Sequence, residues 1–294
     1  MFEDFNPEEY VEADLVELIK EGLKSRINEN LPLGFIIDGT QGMAKTTSAS
    51  LLARIPQRNF DVEHQIGRGL EQFIKSYNHT IDKVKGKYKV CIYDEANDSD
   101  KASSRGRIQR ILNQVLVATS RSEKVILIIV IHRFYKLGSA FFENGLIDFL
   151  IHIDDKKDGK YSHFKVFDGN AMTYMLNLIK KNQVYASHQV YSRAYVSFNG
   201  RIKCPPKDFL DEIEKHSKAG KDSLRKKATR DLLAESYYTI PVLASLLEST
   251  KSAVEYRIKR EGLKSLYLKD KVGKTLFFDK DILGTLKKMF KAEE

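Results

Sequence analysis

The residues whose types and spacing could do chemistry begin at Gly39. The run Gly39-Thr40-Gln41-Gly42-Met43-Ala44-Lys45-Thr46, with Thr47 behind it, nearly matches the phosphate-binding loop G-x-x-x-x-G-K-[ST]. Glycine frees backbone N–H groups to wrap phosphates, the Lys45 ammonium meets the β and γ oxygens, and Thr46 offers its hydroxyl to Mg²⁺. Ala44 departs from the pattern, standing where the second glycine is usual. Its methyl crowds the loop but removes no N–H. Further on, Val90-Cys91-Ile92-Tyr93-Asp94-Glu95 is an apolar run closing on two acids, in which Asp94 would hold the Mg²⁺ shell and Glu95 would polarise the attacking water. A third piece is Val125 to Ile131 followed by His132-Arg133. Ligands bind at the carboxyl edge of an open parallel sheet, so His132 is the candidate γ-phosphate sensor. Singly, these pieces are explained as well by a polar turn after a strand and a hydrogen-bonded strand-end histidine. Their order favours a site for ATP with Mg²⁺.

These residues need a scaffold, and the apolar patterning supplies one. Gly34 to Asp38 is a short apolar strand leading into the loop, and Lys45 to Arg54 a helix leaving it. Tyr88 to Tyr93, Val125 to Ile131 and Phe149 to Ile153 read as buried strands, Ile108 to Val117 as a helix, and Asp158-Gly159 as a turn into a strand over Ser162 to Phe167. Strands alternating with helices predict an α/β parallel sheet with helices on both faces. His152 and His163 fall on strands and read as structural. Arginines flank the third strand and the helix before it (Arg105, Arg107, Arg110, Arg121, Arg133), and Arg121 leads as one that would reach a neighbour's nucleotide.

The order of phosphate loop, Asp-Glu strand, helix ending in Ala118-Thr119-Ser120-Arg121 and buried strand closing on His132-Arg133 resembles the additional-strand P-loop ATPases. That group includes the FtsK and HerA DNA pumps, conjugative coupling proteins and viral packaging ATPases. The resemblance covers roughly residues 31 to 155, with His132 where glutamine is more familiar. It implies a RecA-like fold, an ATP-driven hexameric ring of this chain and catalysis shared between subunits, with Lys45, Glu95, His132 and Arg121 as the catalytic set. A AAA+ assignment ranks lower, since residues 139 to 200 look mixed rather than a helical lid.

Past Asn199-Gly200 the composition changes, through Cys204-Pro205-Pro206 into a charged helical stretch from Asp208 to about Glu235 that Ala219-Gly220 interrupts. Thr239 to Leu247 and Lys251 to Arg260 resemble a helix-turn-helix, and Leu266-Tyr267-Leu268 and Thr275 to Phe278 flank a hairpin wing. A small winged-helix-like α+β domain follows. Lys251 and Arg257 would reach base edges, and Lys271 and Lys274 at the wing tip would meet phosphates. The expected organisation is an acidic N-terminal helix at 1–30, an ATPase domain at 31–204, a linker at 205–224 and a DNA-binding domain at 225–294.

Charge and composition agree with nucleic acid as partner. The 294-residue chain carries a net +9, divided as −6 over 1–30, +9 over 31–220 and +6 over 221–294. Double-stranded DNA is the expected partner, and the acidic N-terminal helix is expected to meet a protein surface. No membrane-spanning run or secretory leader is read, and two cysteines make no disulfide framework, so the expected setting is cytoplasmic. The absence of HExxH, C-x-x-C and G-x-S-x-G leaves metal hydrolase, redox and serine hydrolase chemistry without an anchor. The leading expectation is a motor that translocates or packages double-stranded DNA for a mobile element or virus. The alternatives are an ATP-switched accessory protein for replication, transposition or partition, and a nucleotide-sensing transcriptional regulator.

Overall fold

The computed structural model describes residues 5–27, 29, 31, 33–40, 42, 44–94, 116, 118–137, 140–143, 145–155, 160–181, 187–263, 266–269, 274–280 and 282–291. The chain divides into two compact units, Met1–Ser217 and Lys218–Glu294. In the first, a 3₁₀ turn leads to α1 (Ala13–Gly22), β1 (Leu33–Gly39), α2 (Lys45–Arg54), α3 (Val62–Gln65), β2 (Ile66–Arg68), α4 (Gly69–Lys83) and β3 (Lys89–Asp94). It continues with α5 (Ala118–Ser122), β4 (Val125–Val130), α6 (Ala140–Glu143), β5 (Phe149–Asp155), β6 (Tyr161–Asp168), α7 (Gly169–Lys180), α8 (Ser187–Arg193) and β7 (Phe198–Lys203). A 30-residue helix, α9 (Lys207–Ser236), starts in the first unit and ends in the second. There follow β8 (Tyr237–Thr239), α10 (Ile240–Leu246), α11 (Lys251–Arg260), β9 (Leu266–Lys269), β10 (Lys274–Asp279) and α12 (Ile282–Lys291).

Alternation along the apolar strands decides the layering. Phe35 and Ile37 of β1, Val90 and Ile92 of β3, and Ile126 and Ile128 of β4 enter one core, joined by Leu15 and Ile19 of α1, Leu51 and Leu52 of α2, and Phe209 and Ile213 of α9. Their neighbours Ile36, Cys91, Tyr93, Leu127 and Ile129 point to the opposite core, with Phe73 and Tyr77 of α4, Met172 and Met175 of α7, and Tyr191 of α8. Both faces are therefore covered, which is why these strands are continuous apolar runs rather than half-polar ones. The seven strands run in the order β2-β3-β4-β1-β5-β6-β7. The first five in that order are parallel, while β6 and β7 are antiparallel additions. Ile129 of β4 lies in register with Ile36 on one side and Tyr93 on the other, so β4 separates the loop strand from the acid-bearing strand.

Several sequence readings shift. Asn199-Gly200 lies inside β7, opposite Lys165 and Phe164. A Cβ at Gly200 would come within 2.8 Å of the Phe164 ring, so this glycine serves packing. Ala219-Gly220 does not interrupt α9, and most of the segment read as a linker is helical. The apolar side of α1 is buried within the same unit as the sheet. The helix read over Ile108 to Val117 lies, but for Leu116, outside the described residues, as does the Asp158-Gly159 turn. Cys91 is buried on β3, where burial pushes its thiol up to about 12, while Cys204 is exposed just ahead of α9. Among the described residues, no helix is long and apolar enough to cross a membrane.

In the second unit β8, β10 and β9 form an antiparallel sheet in that order. Leu243 and Ala244 of α10, Val254 and Ile258 of α11, Phe278 of β10 and Leu286 of α12 make its core. The Thr250 hydroxyl accepts from the Ala253 amide to cap α11, and Gly262, at φ +61°, follows its end.

Candidate functional site

β1 ends and α2 begins on either side of the glycine-containing loop. Gly39 has φ +143°, and a Cβ there would lie 2.5 Å from the Ile153 carbonyl of β5; Gly42 has φ +88° with open space where a Cβ would stand. Thr40 is exposed, and Gln41 and Met43 lie outside the described residues. Ala44 takes the left-handed conformation, φ 52° and ψ 29°, as the residue before α2. That geometry costs a non-glycine residue about 1 kcal/mol, which explains in backbone terms why glycine is usual there.

Lys45 opens α2 and is buried, its Nζ donating to the carbonyls of Gly39 (2.8 Å) and Thr40 (2.7 Å). The ammonium is thus parked over the loop's own oxygens. His132, half-buried just past β4, brings Nδ1 to 3.5 Å from Lys45 Nζ. Thr46 Oγ1 lies 3.2 and 3.4 Å from the two carboxylate oxygens of Asp94 at the end of β3. Thr47 is half-buried on the next position of α2. A hydroxyl and a carboxylate side by side form the hard-oxygen donor set that Mg²⁺ takes, so these residues fit that ion. Glu95 lies outside the described residues, and Arg121 is described only as a backbone position of α5. Arg133 is exposed and donates to the Tyr135 hydroxyl, while Arg105, Arg107 and Arg110 lie outside the described residues.

Two groups escaped the sequence reading. Asp38, fully buried beneath the loop, accepts from the Phe134 amide (3.0 Å) and the Tyr191 hydroxyl and pairs with His152 Nδ1 (2.8 Å). The His152 ring stacks on Tyr191 at 3.6 Å, so one carboxylate ties the loop strand to the segment after His132, to β5 and to α8. Burial, then the Asp38 charge, raise Tyr191 far above the ordinary phenol range and keep it a donor. The second is Arg68. It ends β2 opposite Asp94 and donates to Asp94 Oδ2 from Nε (2.9 Å) and Nη2 (2.8 Å). It also donates to the hydroxyl (2.9 Å) and carbonyl of Ser217 on α9. An arginine at the end of a three-residue strand carries no periodic signal, and only the fold brings it to Asp94.

The basic residues of the second unit divide. Lys251 is exposed at the start of α11. Arg257, expected to face DNA, is instead buried, donating to the Met289 carbonyl (2.7 Å) and lying 4.4 Å over the Phe290 ring. It falls on the same side of α11 as the core residues Val254 and Ile258, three positions on and one short. Lys271 lies outside the described residues, and Lys274 is described only as a backbone position of β10. The outward face of α11 carries Lys251, Tyr256, Lys259 and Arg260.

The sheet order with β4 inserted, the loop between β1 and α2, Lys45 on that loop's carbonyls and Thr46 against Asp94 define a P-loop fold. No family model and no curated protein matches the chain. Among solved structures it is similar to the N-terminal domain of zonular occludens toxin from Neisseria meningitidis, with 16% identity, 61% of this chain and 97% of that one covered, and a TM-score of 0.35. It is also similar to Drosophila ORC bound to DNA (11% identity, 92% and 85% covered, TM-score 0.31). A third is the Aeropyrum pernix ORC1 protein in complex with DNA (11%, 92% and 90%, TM-score 0.28). At these scores no shared role follows, and the chemistry is taken from the chain's own residues.

Proposed function

We propose that this chain is an ATPase of the FtsK/HerA type that moves or packages double-stranded DNA as a ring of identical subunits. The observation that carries the reading is Lys45 held over the loop carbonyls with Thr46 against Asp94 across the intervening β4. In this reading the loop from Gly39 to Thr47 binds the phosphates, and Lys45 swings from its carbonyls to the phosphate oxygens. Thr46 and Asp94 hold Mg²⁺, which supplies charge neutralisation on the phosphates. Glu95 activates water, His132 reads the γ-phosphate and Arg121 serves the neighbouring subunit. The acidic face of α1 offers a protein contact.

The second unit takes the role of a winged-helix-like DNA-binding domain over 225–294, joined to the ATPase domain (31–204) through α9. Support comes from the α10–α11 pair followed by the β9–β10 hairpin, with β8 completing the sheet. Lys251, Lys271 and Lys274 keep their proposed roles, Lys259, Arg260 and Tyr256 join them, and Arg257 leaves the contact set.

ATP turnover with and without duplex DNA tests this reading. Lys45→Ala should abolish ATP binding, whereas Glu95→Gln should keep binding and lose hydrolysis. DNA-stimulated turnover supports the motor; binding without it leaves the ATP-switched accessory protein or nucleotide-sensing regulator.

A further inference from the structure

The candidate cation site already holds a cation. The Arg68 side chain is 1% exposed and its Asp94 partner 2%, and both donors that reach Asp94 meet Oδ2, the oxygen 3.2 Å from the Thr46 hydroxyl. A guanidinium is stable at such burial only where its donors are satisfied, and the remaining ones go to Ser217. Ser217 is itself anchored, because the preceding turns of α9 place Phe209 and Ile213 in the core and Glu212 on Arg54 at 3.0 Å. His216 next to it is bonded to the Ile66 backbone through its ring and keeps a buried Nε2 with no hydrogen-bond partner, so Ser217 supplies this turn's contact to Arg68.

We propose that Arg68 is a resident counter-charge that competes with the divalent cation for Asp94 and thereby ties the loading of the site to the 212–217 turn of α9. This rests on the nucleotide reading of the site and adds a positioning residue to it. With no divalent ion, Arg68 neutralises Asp94 and grips Ser217. A divalent charge between Thr46 and Asp94 repels the guanidinium and takes the lone pairs it uses. Arg68 then retreats and its two bonds to Ser217 loosen. The α9 turn is held while the site is empty of cation and freed when it is full.

The test is the Mg²⁺ concentration giving half-maximal binding of a fluorescent, non-hydrolysable ATP analogue to the full chain, beside the affinity for that analogue in EDTA. Ser217→Ala removes one acceptor from Arg68 and touches neither nucleotide nor cation. It should lower the Mg²⁺ half-saturation about threefold, the low end of the net worth of one intramolecular hydrogen bond, with the EDTA affinity unchanged. Arg68→Gln leaves the buried Asp94 charge uncompensated and should lower it further, by about tenfold or more. Hydrogen exchange over 212–217 in wild type should quicken when Mg²⁺ is added to the analogue-bound protein. A half-saturation that rises or stays fixed in Ser217→Ala overturns the proposal while leaving the nucleotide site standing. Equal analogue affinity of wild type and Lys45→Ala overturns the site reading and the competition with it. Misfolding shows as loss of the EDTA affinity, and Ser217→Ala then decides alone.

Discussion

Backbone geometry at Ala44 sets up the first residue-scale expectation. Alanine at φ 52° carries strain that glycine does not, while glycine's looser unfolded chain returns part of the difference. Ala44→Gly should therefore stabilise the protein by about 0.5 kcal/mol and leave analogue affinity equal or higher. Thermal melts and a binding titration check this, and a large loss of affinity would mean that the loop takes another path around phosphate. His216 gives a pH dependence. Burial, then the Arg68 charge, lower its pKa, against smaller opposing effects of Asp94 and a hydrogen bond to the Ile66 backbone. The folded ring takes up its proton at a lower pH than the unfolded one, which protonates below about 6.5. The unfolded state binds the proton first, so stability is lost as pH falls below about 6.5, and His216→Gln should make that fall in urea midpoints less steep.

At the scale of elements, α11 separates what was legible in the sequence from what was not. Its span, Lys251 to Arg260, could be read from the apolar spacing, yet the Thr250 cap was not read and which basic residue faces outward could not be. Val254 and Ile258 lie on both sides of Arg257 in sequence, and the groups that satisfy it, Met289 and Phe290, arrive from α12. Arg257→Ala should cost the second unit about 2 kcal/mol in denaturant melts, whereas Lys251→Ala and Lys259→Ala should leave stability unchanged. Lys259→Ala should instead flatten the log–log salt dependence of duplex binding by about 0.9, whereas Lys251→Ala should relax sequence preference. In the first unit β1, α2, β3 and β4 were legible because strands buried on both faces are unbroken apolar runs. β2 was not. Its Ile66-Gly67-Arg68 has no periodicity, and its place is set by Arg68 on the sequence-distant Asp94 and by the close approach of Gly67 to α4, where a Cβ would fall 2.2 Å from Phe73 Cα. The same holds for Asp38, visible as a carboxylate among apolar residues but explained only by Phe134, His152 and Tyr191.

For the whole molecule, the division at Ser217 predicts where the chain can be cut. A 1–224 fragment keeps Phe209, Ile213 and Ser217 and should fold and hydrolyse ATP, with DNA affinity strongly reduced. A 1–204 fragment loses two buried side chains of the first core, each worth about 2–5 kcal/mol, and should melt far lower or fail to fold by circular dichroism. If subunits share sites, inactive Arg121→Ala and inactive Glu95→Gln should regain turnover when mixed, and none despite proven mixing removes Arg121 as the shared residue. The two cysteines make such experiments easier. Cys91 is sealed inside the sheet with its thiol pushed up to about 12, and Cys204 is exposed. A maleimide dye added to the unaltered protein at neutral pH should therefore attach at one place, three residues ahead of α9. The native chain comes with its own single attachment point for an optical reporter, beside the helix whose movement is to be watched and with no engineered thiol.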